Sequence, residues 1–359
     1  MLNAYRLAEN YFIRLSSWKK TVAILAVALL LTSIASLNVG YSQIPLQKII
    51  ASMLQGFGVN LLNLPQPSAA ESAILLQVRL PRIIAGILVG AALAMGGVAF
   101  QALFRNPMAD PYVLGISSGA TLGGVIAITL TLSATMLGAF AIPITAFLGA
   151  VLTSLLVYKL ARIGSNTATM SLLLSGIAIS IVLSALVTLA IFFADPYRQL
   201  TGIIFWLIGS LSSISWPEIT AVAPLILVPA VMINFFARDL NVMLLGEEEA
   251  RNLGVNTESL KKLVLVLSLL AVASAVSITG IIGFVGLMVP HIVRLIVGPD
   301  HRILLPSAML GGAIYVTAFD AASRVIYPPS ELPVGVLTAL AGGPFFLYLL
   351  RRKKGSYRI

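Results

Sequence analysis

Residue types that carry out chemistry are scarce in this chain, and their spacing brings none of them together. There is no cysteine, so disulfides and thiolate metal sites are excluded. The two histidines, His291 and His301, flank one short loop and read as helix-end residues rather than an acid–base pair. Serine, histidine and acidic residues do not combine into a triad, so no catalytic residue and no metal site is expected. No G-x-x-x-x-G-K-[ST] phosphate loop occurs, and the glycine-rich run Gly280–Gly286 lies in an apolar stretch rather than after a strand. The chain therefore has no means of its own to hydrolyse ATP in the P-loop manner and calls for no cofactor.

The elements that carry these residues are set by composition. Of 359 residues, 58% are hydrophobic and only 10% charged, against roughly 25% charged in soluble domains. Mean hydropathy is +0.99, and uncharged runs of about 20 residues indicate an all-α, polytopic membrane helix bundle. Ten stretches are read as spans: 21–37, 83–104, 112–132, 136–158, 170–194, 219–237, 263–280, 281–293, 303–319 and 333–350. The first follows Lys19 and Lys20 and is read as a retained span. Leu61–Leu64 and Ile203–Leu211 are too short to cross; the latter, with Trp206, reads as an interfacial or re-entrant piece on the outer side. Between Lys262 and Arg294, Gly280, Gly283 and Gly286 divide a long uncharged run into a full helix and a short one.

An even number of crossings places both basic termini on one side. Eighteen of the 23 Lys and Arg residues then fall inside, and five outside: Lys48, Arg79, Arg82, Arg198 and Arg324. That bias sets both termini in the cytoplasm and explains the net charge of +10 without nucleic acid. The organisation is a cytoplasmic segment 1–20, one transmembrane domain 21–350 with a cytoplasmic loop at 238–262, and a basic tail 351–359. The pairs Gly86/Gly90, Gly115/Gly119 and Gly119/Gly123 have the spacing that lets helix backbones approach closely.

Ion-coupled carriers keep ionisable residues near the midplane. Here Asp195, Glu218, Asp320 and Glu331 fall at outer span ends, and Asp110, Asp239, Glu247–Glu249, Glu258 and Asp300 fall inside, so the midplane reads as empty of carboxylates. A selectivity filter or acidic ring, as a channel would need, is also missing. A multi-span protein without coupling charges needs an external engine. Its docking surface would be the inner loop, where Leu244–Val255 (LLGEEEARNLGV) reads as a short amphipathic helix with an acidic first turn, ended by Gly254. A solvated loop is the alternative.

Several segments together resemble one family, the permease subunits of type II ABC importers for iron–siderophore complexes, haem and vitamin B12. They are Arg79–Gly124 (RLPRIIAGILVGAALAMGGVAFQALFRNPMADPYVLGISSGATLGG), the inner loop LLGEEEARNLGV, Gly280–Gly312 (GIIGFVGLMVPHIVRLIVGPDHRILLPSAMLGG) and Asp320–Phe346. The outer stretch Gln55–Ala73 is longer than in vitamin B12 members, which leans toward iron chelates.

The resemblance implies a homodimer of ten-span subunits in the inner membrane, two ATPase subunits that bind ATP and Mg, and an extracytoplasmic binding protein that delivers a metal chelate. It implies ATPase coupling through Gly246, Glu247, Glu248, Ala250, Arg251, Leu253 and Gly254. It makes Asn106 and Met108, in the loop RNPMADP, candidate inner-gate residues, with a plain rigid turn as the alternative. It places the fifth and tenth spans, near 170–193 and 333–350, along the pathway. It also assigns binding-protein docking to Arg79, Arg82 and Arg324, where headgroup snorkelling and an i,i+4 pair between Asp320 and Arg324 are the alternatives. Haem or vitamin B12 as substrate, and an ion-coupled secondary transporter, are the competing functions.

Overall fold

A computed structural model describes residues 2–40, 42, 44–56, 65–163, 166, 167 and 169–353. Leu61–Leu64 and the basic residues Lys354 and Arg358 lie outside them. Helix α1 spans Leu2–Asn38 without a break, so residues 2–20 continue the first apolar run as helix. On the outer side, α2 (Leu46–Gly56) is tied to α3 (Ala69–Ala73) by the Lys48–Glu71 ion pair at 2.9 Å. Ser68 and Glu71 close a capping box at the start of α3.

From α3 the chain runs through a π turn, Ile74–Arg79, directly into α4, Leu80–Leu103. The apolar stretch is read from residue 83; the helix begins well before it, and Pro81 sits inside a continuous helical run. A proline ring has no N–H and collides with the carbonyl four residues back, and the wider π turn just before it accommodates both defects.

The remaining helices are α5 (Ile116–Thr129), α6 (Ala141–Ala161), α7 (Thr169–Phe192), α8 (Leu200–Ile208) and α9 (Trp216–Phe235). They continue with α10 (Ala237–Met243), α11 (Glu247–Asn252), α12 (Thr257–Thr279), α13 (Val285–Val297), α14 (His301–Ser323) and α15 (Val334–Lys353). Among the described residues, seven helical runs are long and apolar enough to cross a membrane, and Ile116–Thr129, Val285–Val297 and Val334–Leu349 are shorter apolar helices. Together they coincide with the ten apolar stretches of the sequence. A two-residue antiparallel pairing, Arg162–Ile163 with Asn166–Thr167, is the one strand pairing among the described residues.

Helix α4 is the centre of the bundle: 83% of its apolar window is buried, against 11% for α1. It packs on α14, α12 and α13, while α5 pairs with α6. Glycine spacing makes these crossings possible. A Cβ on Gly90 would overlap the Gly312 carbonyl of α14, and one on Gly119 would overlap the Gly149 carbonyl of α6, so backbone meets backbone as the small-residue spacing anticipates.

The break expected at Gly280 is present. Helix α12 ends at Thr279, and α13 starts only at Val285, after Phe284 in the left-handed region (φ 66°). Helix α8 occupies the segment read as re-entrant; Ile203 is fully buried and the Trp206 ring lies against Gly124 and Gly280.

Candidate functional site

The inner surface between α9 and α12 is built from two short helices. Gly246, at φ 130°, joins α10 to α11, in a conformation that a side chain would strain. Helix α11 covers Glu247–Asn252, shorter than the Leu244–Gly254 helix expected. Lys261 of α12 holds it, pairing with Glu247 and, at 3.4 Å, with Glu258. Arg251 donates to Thr257 Oγ1 at 3.0 Å.

Of the residues expected to meet the engine, Glu248, Arg251, Leu253 and Gly254 are exposed and Glu247 is half-buried, whereas Gly246 and Ala250 are buried. Ala250 is 0% exposed. It therefore acts as the foot of the helix rather than as its contact, because a small residue was needed beneath the turn. The apolar residues that do face outward are Leu244, Leu245 and Leu253 (41%, 63% and 64% exposed). An exposed apolar cluster rimmed by charge is the signature of a docking surface.

Beside it, Asp300 caps α14 by accepting from Arg302 N at 3.0 Å and binds the Arg302 guanidinium on both oxygens. Asn241 of α10 donates to Asp300 at 2.8 Å. Partial burial works to raise the Asp300 carboxyl, but the Arg302 side chain, the Asn241 amide and the Arg302 N–H outweigh it and hold it down at about 2.

The loop Arg105–Pro111 is a built turn. Asn106 is exposed, and its side chain accepts from Met108 N at 3.0 Å; Met108 is half-buried. The chain then turns back into the bundle. Pro111 packs against Gly96 and Gly286, and the Val113 carbonyl lies against Gly176 of α7. Gly96 is seven residues before the end of α4, about 10 Å along its axis. Asp110, expected on the inner side, is thereby half-buried beside Pro111. Its oxygen is committed to Tyr112 N at 2.8 Å, and the Tyr112 hydroxyl donates to the Ile282 carbonyl in the α12–α13 break at 3.1 Å. The sequence signal for this turn is the pair Pro107 and Pro111 followed by Gly115.

At the outer end the three arginines come together, but inward. Arg79, Arg82 and Arg324 are 5%, 4% and 4% exposed. Arg82 binds Asp320 at 2.6 Å and also Glu331; Arg324 binds Asp320 and donates to the Ser36 carbonyl at 3.1 Å. Arg79 donates to the Leu37 carbonyl at 2.6 Å and to that of Ser42. The cluster clamps the outer ends of α1, α4 and α14. Free-standing arginines, which docking requires, are not what the sequence folds into, because Asp320 and Glu331 claim two of them first. The i,i+4 pair of Asp320 and Arg324 exists, buried. Only Glu331, with its side chain 39% exposed, reaches the surface.

Helix α7 is the least covered of the later long helices, exposing Leu174, Ile177, Ile181 and Leu189. A groove on it is lined by Tyr112, Val113, Ile177, Ser180 and Ser184. On the outer side, a cavity of about 570 Å³ opens between α5, α8, α9 and α12, with Arg198, Ser212, Glu218 and Thr279 in its wall.

Comparison with known proteins places this architecture. The FecCD transport family matches residues 28–352. The chain is 44% identical over 277 residues to a cobalamin import system permease protein, BtuC, of Halobacterium salinarum, covering 77% of this chain and 73% of that one. It is 42% identical over 283 residues to a hemin transport system permease protein, HmuU, of Yersinia pestis (78% and 84%). With an ABC transporter permease protein of Bacillus subtilis, YvrB, it shares 37% identity over 348 residues, 96% and 97% of the two chains. A solved inward-facing structure described as of metal-chelate ABC transporter type superposes with a TM-score of 0.80 at 34% identity, covering 93% of this chain and 99% of that one. The chain belongs to the FecCD transport family and is a multi-pass membrane permease.

Proposed function

We propose that the chain is the permease subunit of an ATP-driven importer of metal chelates, iron–siderophore complexes foremost, working as a homodimer with two ATPase subunits inside and an extracytoplasmic binding protein outside. The observation that carries this is the inner helix α11, held by Lys261 and flanked by exposed Leu244, Leu245 and Leu253. A short apolar patch on a firmly anchored helix suits a groove on a soluble engine and can transmit its movement. ATP would then drive transport through the difference in its engine's affinity for two access states.

The uncovered apolar face of α7 supports a second copy or a pathway wall there, and Ser180 and Ser184 beside Tyr112 give that wall its polar points. Asn106 and Met108 at the inner exit stay a proposal for the gate; cysteines there would cross-link across the two-fold axis in the closed state, and failure to do so in every nucleotide state would leave only the rigid turn. Docking through Arg79, Arg82 and Arg324 is a proposal that requires the outer cluster to open, with partner carboxylates replacing Glu331.

Haem and vitamin B12 are the competing cargoes, favoured by the names of the relatives from Yersinia pestis and Halobacterium salinarum. Uptake of labelled iron–siderophore, haem and cobalamin into cells with and without the chain decides among them. Chain-dependent accumulation of the first is the expected result, and accumulation of only another assigns the cargo to that class.

A further inference from the structure

We propose that the crevice between α1 and α9–α10 binds an anionic phospholipid of the inner leaflet. Helix α1 packs mainly on α14, and α9 on α12 and α4. Between them, over the α4–α14 floor, an almost wholly apolar groove of about 630 Å³ is lined by Leu29, Leu88, Ala91, Val231 and Met309. Toward the cytoplasm lies a second groove of about 620 Å³, lined by Trp18, Asn241, Pro299 and Asp300.

Helical spacing puts the two in line. Trp18, Val22, Leu25 and Leu29 follow one another at four, three and four residues along α1, and all are partly covered. On the opposite wall, Val231 and Asn234 line the upper groove and Asn241 the lower, with Arg238 between them in sequence at the start of α10. Trp18 to Leu29 is eleven residues, about 16 Å of helix. That is about half of a 30 Å hydrocarbon layer, the depth of one leaflet. The crevice therefore takes one acyl chain above and a headgroup below.

The lower end selects the charge. Lys19, Lys20 and Arg238 are exposed, and none is paired with an acid of the chain among the described residues. The nearby acids along the chain are Asp239 and Asp300, and Asp300 is already held by Arg302, whose guanidinium also lies 4.9 Å over the Trp18 ring. Lys19 and Lys20 follow Trp18 directly and Arg238 lies one helical turn before Asn241, so the chain around the groove carries more positive than negative charge, complementary to an acidic headgroup. This site depends on the chain's place in the membrane and not on what is transported. Because Leu244 also borders the lower groove, the lipid would touch the root of the coupling segment.

The test is native mass spectrometry of the full chain, purified from bilayers holding equal amounts of phosphatidylglycerol and phosphatidylcholine. One phosphatidylglycerol retained per chain after detergent washing is expected, in preference to phosphatidylcholine. Arg238→Gln with Lys19→Gln and Lys20→Gln should reduce its retention by about fivefold per charge removed, with thermal unfolding unchanged. Ala91→Phe, which fills the apolar groove, should block retention of both lipids, and millimolar inorganic phosphate should displace neither. Equal retention of the two lipids in wild type, unaltered by the charge substitutions, would overturn the proposal. So would displacement of phosphatidylglycerol by phosphate, which would mark a site for small anions.

Discussion

The outer arginine cluster and the inner coupling segment are built from the same residue types and used in opposite ways. Outside, Arg82, Arg324 and Asp320 are buried and satisfied within the chain. Inside, Glu248, Arg251 and Leu253 are exposed, and Lys261, Gly246 and the foot residue Ala250 are buried beneath them. Buried charge fixes helices to one another, because losing a partner leaves an uncompensated ion. Exposed charge around an apolar patch leaves a surface free for a second protein. The membrane domain is thus clamped at one end and addressable at the other.

The largest effect that separates the two regions should come from Asp320→Ala. It leaves Arg82 and Arg324 without their shared carboxylate and should cost about 3–5 kcal/mol of stability, read as a lowered unfolding midpoint in detergent. Combining it with Arg82→Ala should cost less than the sum of the single changes. Strict additivity would mean that the two side chains do not depend on each other.

Inside, a bulky residue at Ala250 should act by lifting α11 off its base. Ala250→Leu is expected to cost about 1–3 kcal/mol through overpacking and to expose the 246–254 segment to limited proteolysis. An unchanged cleavage rate would mean that the side chain points out after all.

Much of this comparison was legible in the sequence, and the part that was not has a common cause. The ten apolar runs, the break at Gly280 and the close helix crossings at Gly90 and Gly119 are local patterns, set by hydropathy and side-chain size. The inner segment was legible because its acidic turn and its terminal glycine lie within a dozen residues. The outer cluster was not, since Arg82 meets Asp320 across 238 positions of sequence and an isolated arginine carries no sign of its partner. The inward turn at Pro111 was hidden for a similar reason: prolines mark where helices stop, not which way the chain turns next. The helical run from Ala69 to Leu103 extends beyond the apolar stretch 83–104 because Glu71, Arg79 and Arg82 interrupt its apolar pattern.

A smaller effect concerns Asp300, beside the coupling segment. Its folded pKa is held at about 2, below the unfolded value of about 3.9. The stability it contributes is therefore fully present above about pH 4 and is lost as pH falls through about 2. Asp300→Asn should lower the unfolding temperature at pH 7, and the gap to wild type should shrink as pH is lowered through that window. A gap that stays constant with pH would assign the effect to lost packing instead of lost charge.

The most direct measurement of the coupling role is made on Leu245→Asp with Leu253→Asp, two exposed positions whose change should alter stability by no more than about 0.5 kcal/mol. The permease would be reconstituted in vesicles with its ATPase and binding-protein partners, and ATP-dependent uptake would be followed beside the unfolding midpoint. Loss of uptake and of ATPase association, with the midpoint unchanged, is the predicted result. Wild-type uptake in this variant would contradict the assignment of the Leu244–Gly254 surface as the place where the engine meets the membrane.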